Sequence, residues 1–454
     1  FIVAPICAFI FARMFKSWTS YFFPVMLGLA LTTIILTTIL SGSIIPVLSF
    51  CWITLSAVTI GYRLLTLLHI NDLWPLEHIL LAVTVGYSTH MLMVLFIGVI
   101  GGLYQGVFVA ILLLTTVGLY RDLLKFGTDA RKAYTQIHTY TMQQQTVWWE
   151  VTMLIATLCL IGAYFIAIAP EVFYDPINIQ LYIPNIYLSQ HQILDVPSTY
   201  RTYFPKGANM LFIEGMLLGD ATTAKLFSWF PLVLFIPYMV VLSRVIGLSI
   251  KIGFIAGAFL LINPLNLRAG FAAYQETLTI LLIMGFLHTY FRWQQTCHIK
   301  WAALTGFLMG ISIFIKLQAS LVVAIIAIFI LYDMAGKANL QTGIRHLLTF
   351  GVFGALAALP WFILTWFWSG NPIFPLVNGI FGSRYKPESV ITSDYVRIWG
   401  TGTDILSLLM IPWDATYHAE NFNAIEQTLP LGLILLIIPL IVFALPQQKH
   451  HRSI

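Results

Sequence analysis

Apolar runs close to twenty residues long, separated by short polar turns, recur along nearly the whole chain. A run of about twenty residues crosses a hydrocarbon core of about 30 Å as an α-helix, which rises about 1.5 Å per residue, and the shorter ones are read as tilted pairs or half-helices. About thirteen spans can be read: residues 1–15, 21–40, 44–62, 79–100, 107–120, 147–169, 224–246, 252–265, 272–291, 301–315, 317–331, 347–368 and 429–445. The pattern predicts an all-α, polytopic integral membrane protein.

Composition excludes the soluble alternative: 59% of the 454 residues are hydrophobic and only 9% charged, against about a quarter charged in soluble domains. The net charge of +5 is scattered over few residues, so it forms no nucleic-acid face and informs topology instead. Cys7, Cys51, Cys159 and Cys297 lie in or beside apolar stretches, without zinc spacing or a disulfide framework. The chain opens on Phe1 and an apolar run with no charged leader region, and is read as lacking its first residues.

Threading the spans alternately through a bilayer places Arg63, Arg244, Lys251, Arg292, Lys300 and the segment 121–146 on one side. The excess of basic residues assigns that side to the cytoplasm of a cell inner (plasma) membrane. Two long loops, 170–223 and 370–428, then share the outer face, and chemistry is expected there. The cytoplasmic loop 121–146 divides an N-terminal group of helices, 1–146, from a core of 147–454. Within the first outer loop, 178–190 and 207–218 have helical spacing but are too short to span. Both are expected to lie along the membrane interface as amphipathic helices, separated by Pro197, Pro205 and the aromatic and basic strap 198–206.

Several polar residues stand where chemistry can use them. Asp175, beyond the end of a span, suits a general base for an acceptor hydroxyl; Asp followed by Pro176 equally suits a helix N-cap. Glu276 lies in an apolar helix near its outer end, as a second catalytic acid, as a divalent-metal ligand together with Asp175, or as a snorkelling interfacial carboxylate. Lys316 interrupts an apolar stretch at an outer turn and, with Arg201, Lys206, Arg384 and Lys386, can grip a phosphate leaving group; each also suits a plain headgroup contact. Gly370 to Pro375 is an irregular turn beside tryptophans, and Asp414 with His418 is a weaker coordination candidate. No Walker, dinucleotide or His-Glu-x-x-His motif occurs, which removes nucleotide-driven pumps and zinc proteases.

Taken in order, the segments beginning Asp175-Pro-Ile-Asn, Tyr203-Phe-Pro-Lys-Gly, Ala273-Tyr-Gln-Glu, Gly310-Ile-Ser-Ile-Phe-Ile-Lys and Gly370-Asn-Pro-Ile-Phe-Pro resemble the C-type membrane glycosyltransferases. The likeness is to the bacterial branch of protein mannosyltransferases and aminoarabinose transferases, and it covers roughly 148–445. It implies transfer of a sugar from a polyprenyl-phosphate carrier to a glycan, lipid or protein acceptor on the outer face of the cell envelope. Asp175 matches the family's first-loop acid, while Glu276 and Lys316 fall at its later acid and lysine positions. No cofactor is required by this chemistry, although a divalent ion is compatible with it. Ile179-Gln180-Leu181 stands where the family has an aromatic-His-Leu, and relatives continue beyond the last residues here. Both departures favour an alternative, a non-catalytic scaffold or lipid-binding subunit of a larger membrane complex. A transporter ranks behind both, because charges cluster at helix ends.

Overall fold

A computed structural model of the chain describes residues 22–143, 147–335, 340–384 and 404–418. Among these every regular element is helical. The first half holds α1 (Phe22–Leu40), α2 (Ile44–Leu67), α3 (Pro75–Val99), α4 (Gln105–Gly118), α5 (Tyr120–Gln143), α6 (Val147–Ala167), α7 (Tyr182–Ser189) and α8 (Gly207–Leu218). There follow α9 (Ala221–Val245), α10 (Ile250–Ile262), α11 (Pro264–Phe271), α12 (Glu276–Thr296), α13 (Ile299–Ile315), α14 (Ala319–Ala335), α15 (Leu340–Ser369), α16 (Asn378–Phe381) and α17 (Ile405–Tyr417). Two compact units divide between Trp368 and Ser369.

Among the described residues six helices, α1, α2, α3, α6, α9 and α15, are long and apolar enough to cross a membrane, and up to eight spans result if two bent pairs each count as one. This is the architecture of an α-helical membrane protein. One bent pair breaks the expected span 252–265: α10 and α11 meet at 64°, where Asn263 accepts from Leu265 N at 2.9 Å and Pro264 opens the new helix. The expected spans 1–15 and 429–445 lie outside the described residues.

Two sequence expectations are corrected. The segment 121–146, read as a loop, is helical over Tyr120–Gln143, bent by 68° from α4. Its apolar residues Phe126, Ala133 and Ile137 recur on one face and pack inward, which a loop reading overlooks. The second correction concerns α8, expected at the interface. Its residues from Gly207 to Gly215 are all buried, enclosed by α3, α9 and α13 among others. Its polar residues Asn209 and Glu214 face partners inside the protein rather than water. The other expected interfacial helix is found as a π-helical turn, Pro176–Leu181, running into α7, with Ile183 and Tyr187 buried and Tyr182 exposed.

Glycines set how closely the first unit packs. A Cβ at Gly61 would collide with the Ala82 carbonyl, and one at Gly86 with the Ala57 carbonyl. Both pairs therefore let α2 and α3 touch backbone to backbone. Gly253 and Gly257 of α10 lie in the same way on α9, and Gly306 and Gly310 of α13 on α15. Small residues four apart are the usual device for close helix contact where lipid supplies no hydrophobic drive.

Antiparallel packing gathers helix termini into two ends. At one, Glu77 accepts from Arg292 Nε at 2.6 Å and pairs with His288 Nε2 at 2.8 Å. Beside them Arg244 stacks over Trp74 at 4.6 Å, Lys300 donates to the His69 carbonyl at 2.6 Å, and Arg63 holds Asp122 at 3.1 Å. This is the basic end.

In the second unit, Gly370 adopts a left-handed φ of +86°. The buried Asn371 donates from Nδ2 to the Leu376 carbonyl at 2.9 Å and accepts from Ile373 N at 3.1 Å. These bonds fix the irregular turn.

A Gly86→Val substitution is expected to cost about 1–3 kcal/mol, the usual range for overpacking, read as a lower thermal midpoint in detergent. Gly28→Val in α1, where a Cβ meets nothing within 4 Å, should leave the midpoint unchanged. Equal effects at the two glycines would dismiss the backbone seam as a constraint.

Candidate functional site

The end opposite the basic one is built on the segment after α6. Glu171 accepts from Val172 N at 2.9 Å and Phe173 N at 3.0 Å with one carboxylate oxygen, and from Ala273 N at 3.0 Å with the other. It ties the strand of chain carrying Asp175 to the turn carrying Tyr274 and Glu276. That turn is held from below: Ser228 donates to the Tyr274 carbonyl and Thr277 to the Ser228 carbonyl, each at 2.7 Å.

Asp175 does not act as an N-cap. It is itself in helical conformation and makes no capping bond; its carboxylate meets Arg201 Nη1 at 3.4 Å instead. The following π-helical turn is a rare geometry that recurs at functional sites. Glu276, in the first turn of α12, pairs with Lys316 Nζ at 2.5 Å. Lys316 follows the last residue of α13 in extended conformation, and that projection past the helix end brings it to an acid forty positions earlier. Each candidate acid thus holds one candidate cation.

Tyr274 links the two pairs. Its hydroxyl pKa is raised, first by burial and then by the negative charges of Asp175, Glu276 and Glu171, against the opposing field of Arg268. Lys206 sits alongside. It precedes α8, is 2% exposed, and its ammonium is pushed down to about 7 by burial and by the neighbouring Arg201 charge. A Cβ on the adjacent Gly207 would lie 3.0 Å from Ile315 N, so Lys206 and the turn at Lys316 are close in space.

Four buried acceptors in this region have no hydrogen-bond donor: Gln180 Oε1, Asn209 Oδ1, Gln275 Oε1 and Glu276 Oε2. Asn209 is fixed by donating from Nδ2 to the Gln180 carbonyl at 2.9 Å. Buried acceptors without donors are costly, and their chemistry suits a ligand rich in hydroxyl groups.

Arg384 belongs to the second unit, where its backbone N–H donates to the Ser369 carbonyl at 2.7 Å. Lys386 lies outside the described residues. Among the described residues no group of three or more His, Cys, Asp or Glu side chains is arranged to hold a metal ion. With Asp175 and Glu276 each already beside a cation, no chemical step is assigned to a metal here.

Sequence reasoning did not single out Glu171, Asn209 or Tyr274 as separate site residues. Asn209 carried the clearest signal, as a polar side chain early in an otherwise apolar helix. The fold defines a polytopic α-helical membrane protein with an acid–cation cluster at one end. No known protein family, curated protein or solved structure matches the chain.

Burial of Lys206 makes a pH test possible. The folded chain releases this proton near pH 7 and the unfolded chain near the ordinary 10.5. Between those values the unfolded chain binds more protons, so stability rises with pH by about 1.4 kcal/mol per unit. Below pH 7 the whole cost of burying the charge is present. Lys206→Met should therefore raise the thermal midpoint at pH 6 and change it little at pH 10. A difference between variant and wild type that is the same at both pH values would refute the assignment.

Proposed function

We propose that the protein is a glycosyltransferase that moves a sugar from a polyprenyl-phosphate carrier to an acceptor hydroxyl on the outer face of the plasma membrane. One observation carries this reading: two carboxylates, three cations and buried acceptor oxygens without donors gather at a single end of a membrane bundle. Cations suit the carrier phosphate, and acceptor oxygens suit sugar hydroxyls. The resemblance of the five ordered segments to C-type membrane glycosyltransferases supports the same chemistry, and with it a count of about thirteen spans.

In this mechanism the carboxylate of Asp175 takes the proton of the acceptor hydroxyl. The acceptor oxygen then attacks the anomeric carbon from the face opposite the phosphate. A new C–O glycosidic bond forms as the bond from that carbon to the phosphate oxygen breaks, with inversion. The electron pair leaves on polyprenyl phosphate, whose added charge is met by Lys316, Arg201 and Lys206 in its protonated form. Glu276 keeps Lys316 aimed at the leaving group.

A second reading, a non-catalytic scaffold or lipid-binding subunit, is favoured by the contact of Asp175 with Arg201, which engages one of the two carboxylate oxygens. Membranes enriched in the protein, supplied with radiolabelled polyprenyl-phosphate sugars, separate the two. Asp175→Asn should lower transfer by about 10²–10⁴-fold, the usual contribution of a general base, while carrier lipid stays bound in native mass spectra. Lys316→Ala should lose the carrier. Undiminished transfer by Asp175→Asn excludes it as the base, and co-purification with fixed partners and no carrier supports the scaffold.

A further inference from the structure

Helix α5 crosses the basic end of the first unit, at 68° to α4, instead of continuing through the bundle. Its two acids share one flank, and its four cations, Arg121, Lys125, Arg131 and Lys132, lie off it. Asp122 and Asp129, two turns apart, both point into the protein: Asp122 to Arg63 at 3.1 Å, and Asp129 to His78 Nδ1 and the Tyr62 hydroxyl, each at 3.1 Å. Arg121, Lys125 and Lys132 are spaced by four and seven residues, which places them in one row along a helix of 3.6 residues per turn. Arg121 and Lys132 are exposed, as are Thr128 and Thr135 between and beyond them. Lys125 is half-buried and reaches Asn71 Oδ1 at 3.5 Å. The row carries no acid, because both acids of this helix lie on the adjoining flank and are turned into the protein.

Beside the row stand two apolar side chains, Tyr120 at 52% and Leu124 at 64% exposure. Cations with aromatic and aliphatic neighbours on a helix lying across span ends form the usual pattern of a helix at the headgroup and acyl boundary. An acidic protein partner would satisfy the cations but leave Leu124 unexplained.

We infer that the outward face of α5 is a binding site for anionic phospholipid headgroups. The acids inside lock the helix to α2 and α3, so the cationic row is presented in fixed register. This site is separate from the acid–cation cluster at the other end and does not depend on the reading given to that cluster.

The test uses the full chain in detergent micelles doped with equal amounts of phosphatidylglycerol and phosphatidylcholine, with retained lipids counted by native mass spectrometry. Wild type should retain phosphatidylglycerol in preference. The R121Q/K125Q/K132Q variant should lower the phosphatidylglycerol to phosphatidylcholine ratio by about fivefold for each cation removed, and added salt should lower the wild-type ratio. Thermal midpoints in phosphatidylcholine alone check folding. If the triple variant melts early because Lys125 loses Asn71, R121Q/K132Q replaces it, since both of those side chains are exposed. A wild-type preference that survives the substitutions, or no preference at all, would overturn the site.

Discussion

Backbone contact between α2 and α3, made possible by Gly61 and Gly86, is the constraint on which the first unit depends. In hydrocarbon, one apolar helix face gains little by leaving lipid for another, so attraction must come from short-range packing and from polar bonds. Packing of that kind decays over a fraction of an ångström, and side chains larger than hydrogen at these positions would hold the helices apart. Several polar contacts need this spacing. His90 of α3 reaches Glu214 of α8 at 2.9 Å, and Ser56 of α2 reaches His90 Nε2 at 3.3 Å. Tyr62 of α2 and His78 of α3 meet the same carboxylate, Asp129. Separate α2 from α3 and these groups lose their partners in a medium without water.

Several buried charges in this fold are shared between helices distant in sequence. Glu77 is held by His288 and Arg292, more than two hundred positions later, and His90 by Glu214. Such pairs repay their desolvation poorly, so their stronger effect is on register: a helix shifted by one residue would strand an ion. The candidate site departs from this rule. Lys206 is buried and pushed toward neutrality, and Gln180, Asn209, Gln275 and Glu276 each keep an acceptor without a donor. Buried atoms without a partner also occur elsewhere, among them Thr66 Oγ1, His78 Nε2 and His288 Nδ1, but the four here are all side-chain carbonyl or carboxylate oxygens.

Much of the architecture was legible in the chain because hydropathy reports directly on long spans: α1, α2, α3, α6 and α9 fall close to the runs read from residues alone. Shorter elements escaped. Helix α8 has the length of an interfacial helix, and nothing local reveals that Asn209 and Glu214 find partners at Gln180 and His90. The break at Asn263-Pro264 was present as a cap and a proline, yet the apolar run across it concealed the bend. Of the site, Asp175, Glu276, Lys316, Arg201 and Lys206 were each visible as polar residues in unusual places. Their pairing was not, since Asp175 and Arg201 are 26 positions apart and Glu276 and Lys316 are 40 apart. Glu171 went unread for the same reason: its meaning lies in a bond to Ala273, which only the fold brings near.

The Asp175 to Arg201 contact bears on the order of events in a transferase. At 3.4 Å, with half the Asp175 side chain exposed, the pair is loose and solvated, and such contacts contribute about 0–1 kcal/mol. The phosphodiester of the donor offers Arg201 a bidentate anionic partner, and it competes well against that. If carrier phosphate draws the guanidinium away, the Asp175 carboxylate is left open to the acceptor hydroxyl when the donor is in place. The same phosphate, beside Lys206, favours the charged form of a lysine that burial otherwise disfavours. Donor binding would then prepare both the base and the cation that receives the leaving group, and an acceptor arriving first would find neither ready. On this view the closed pair is a resting arrangement that limits wasteful attack by water.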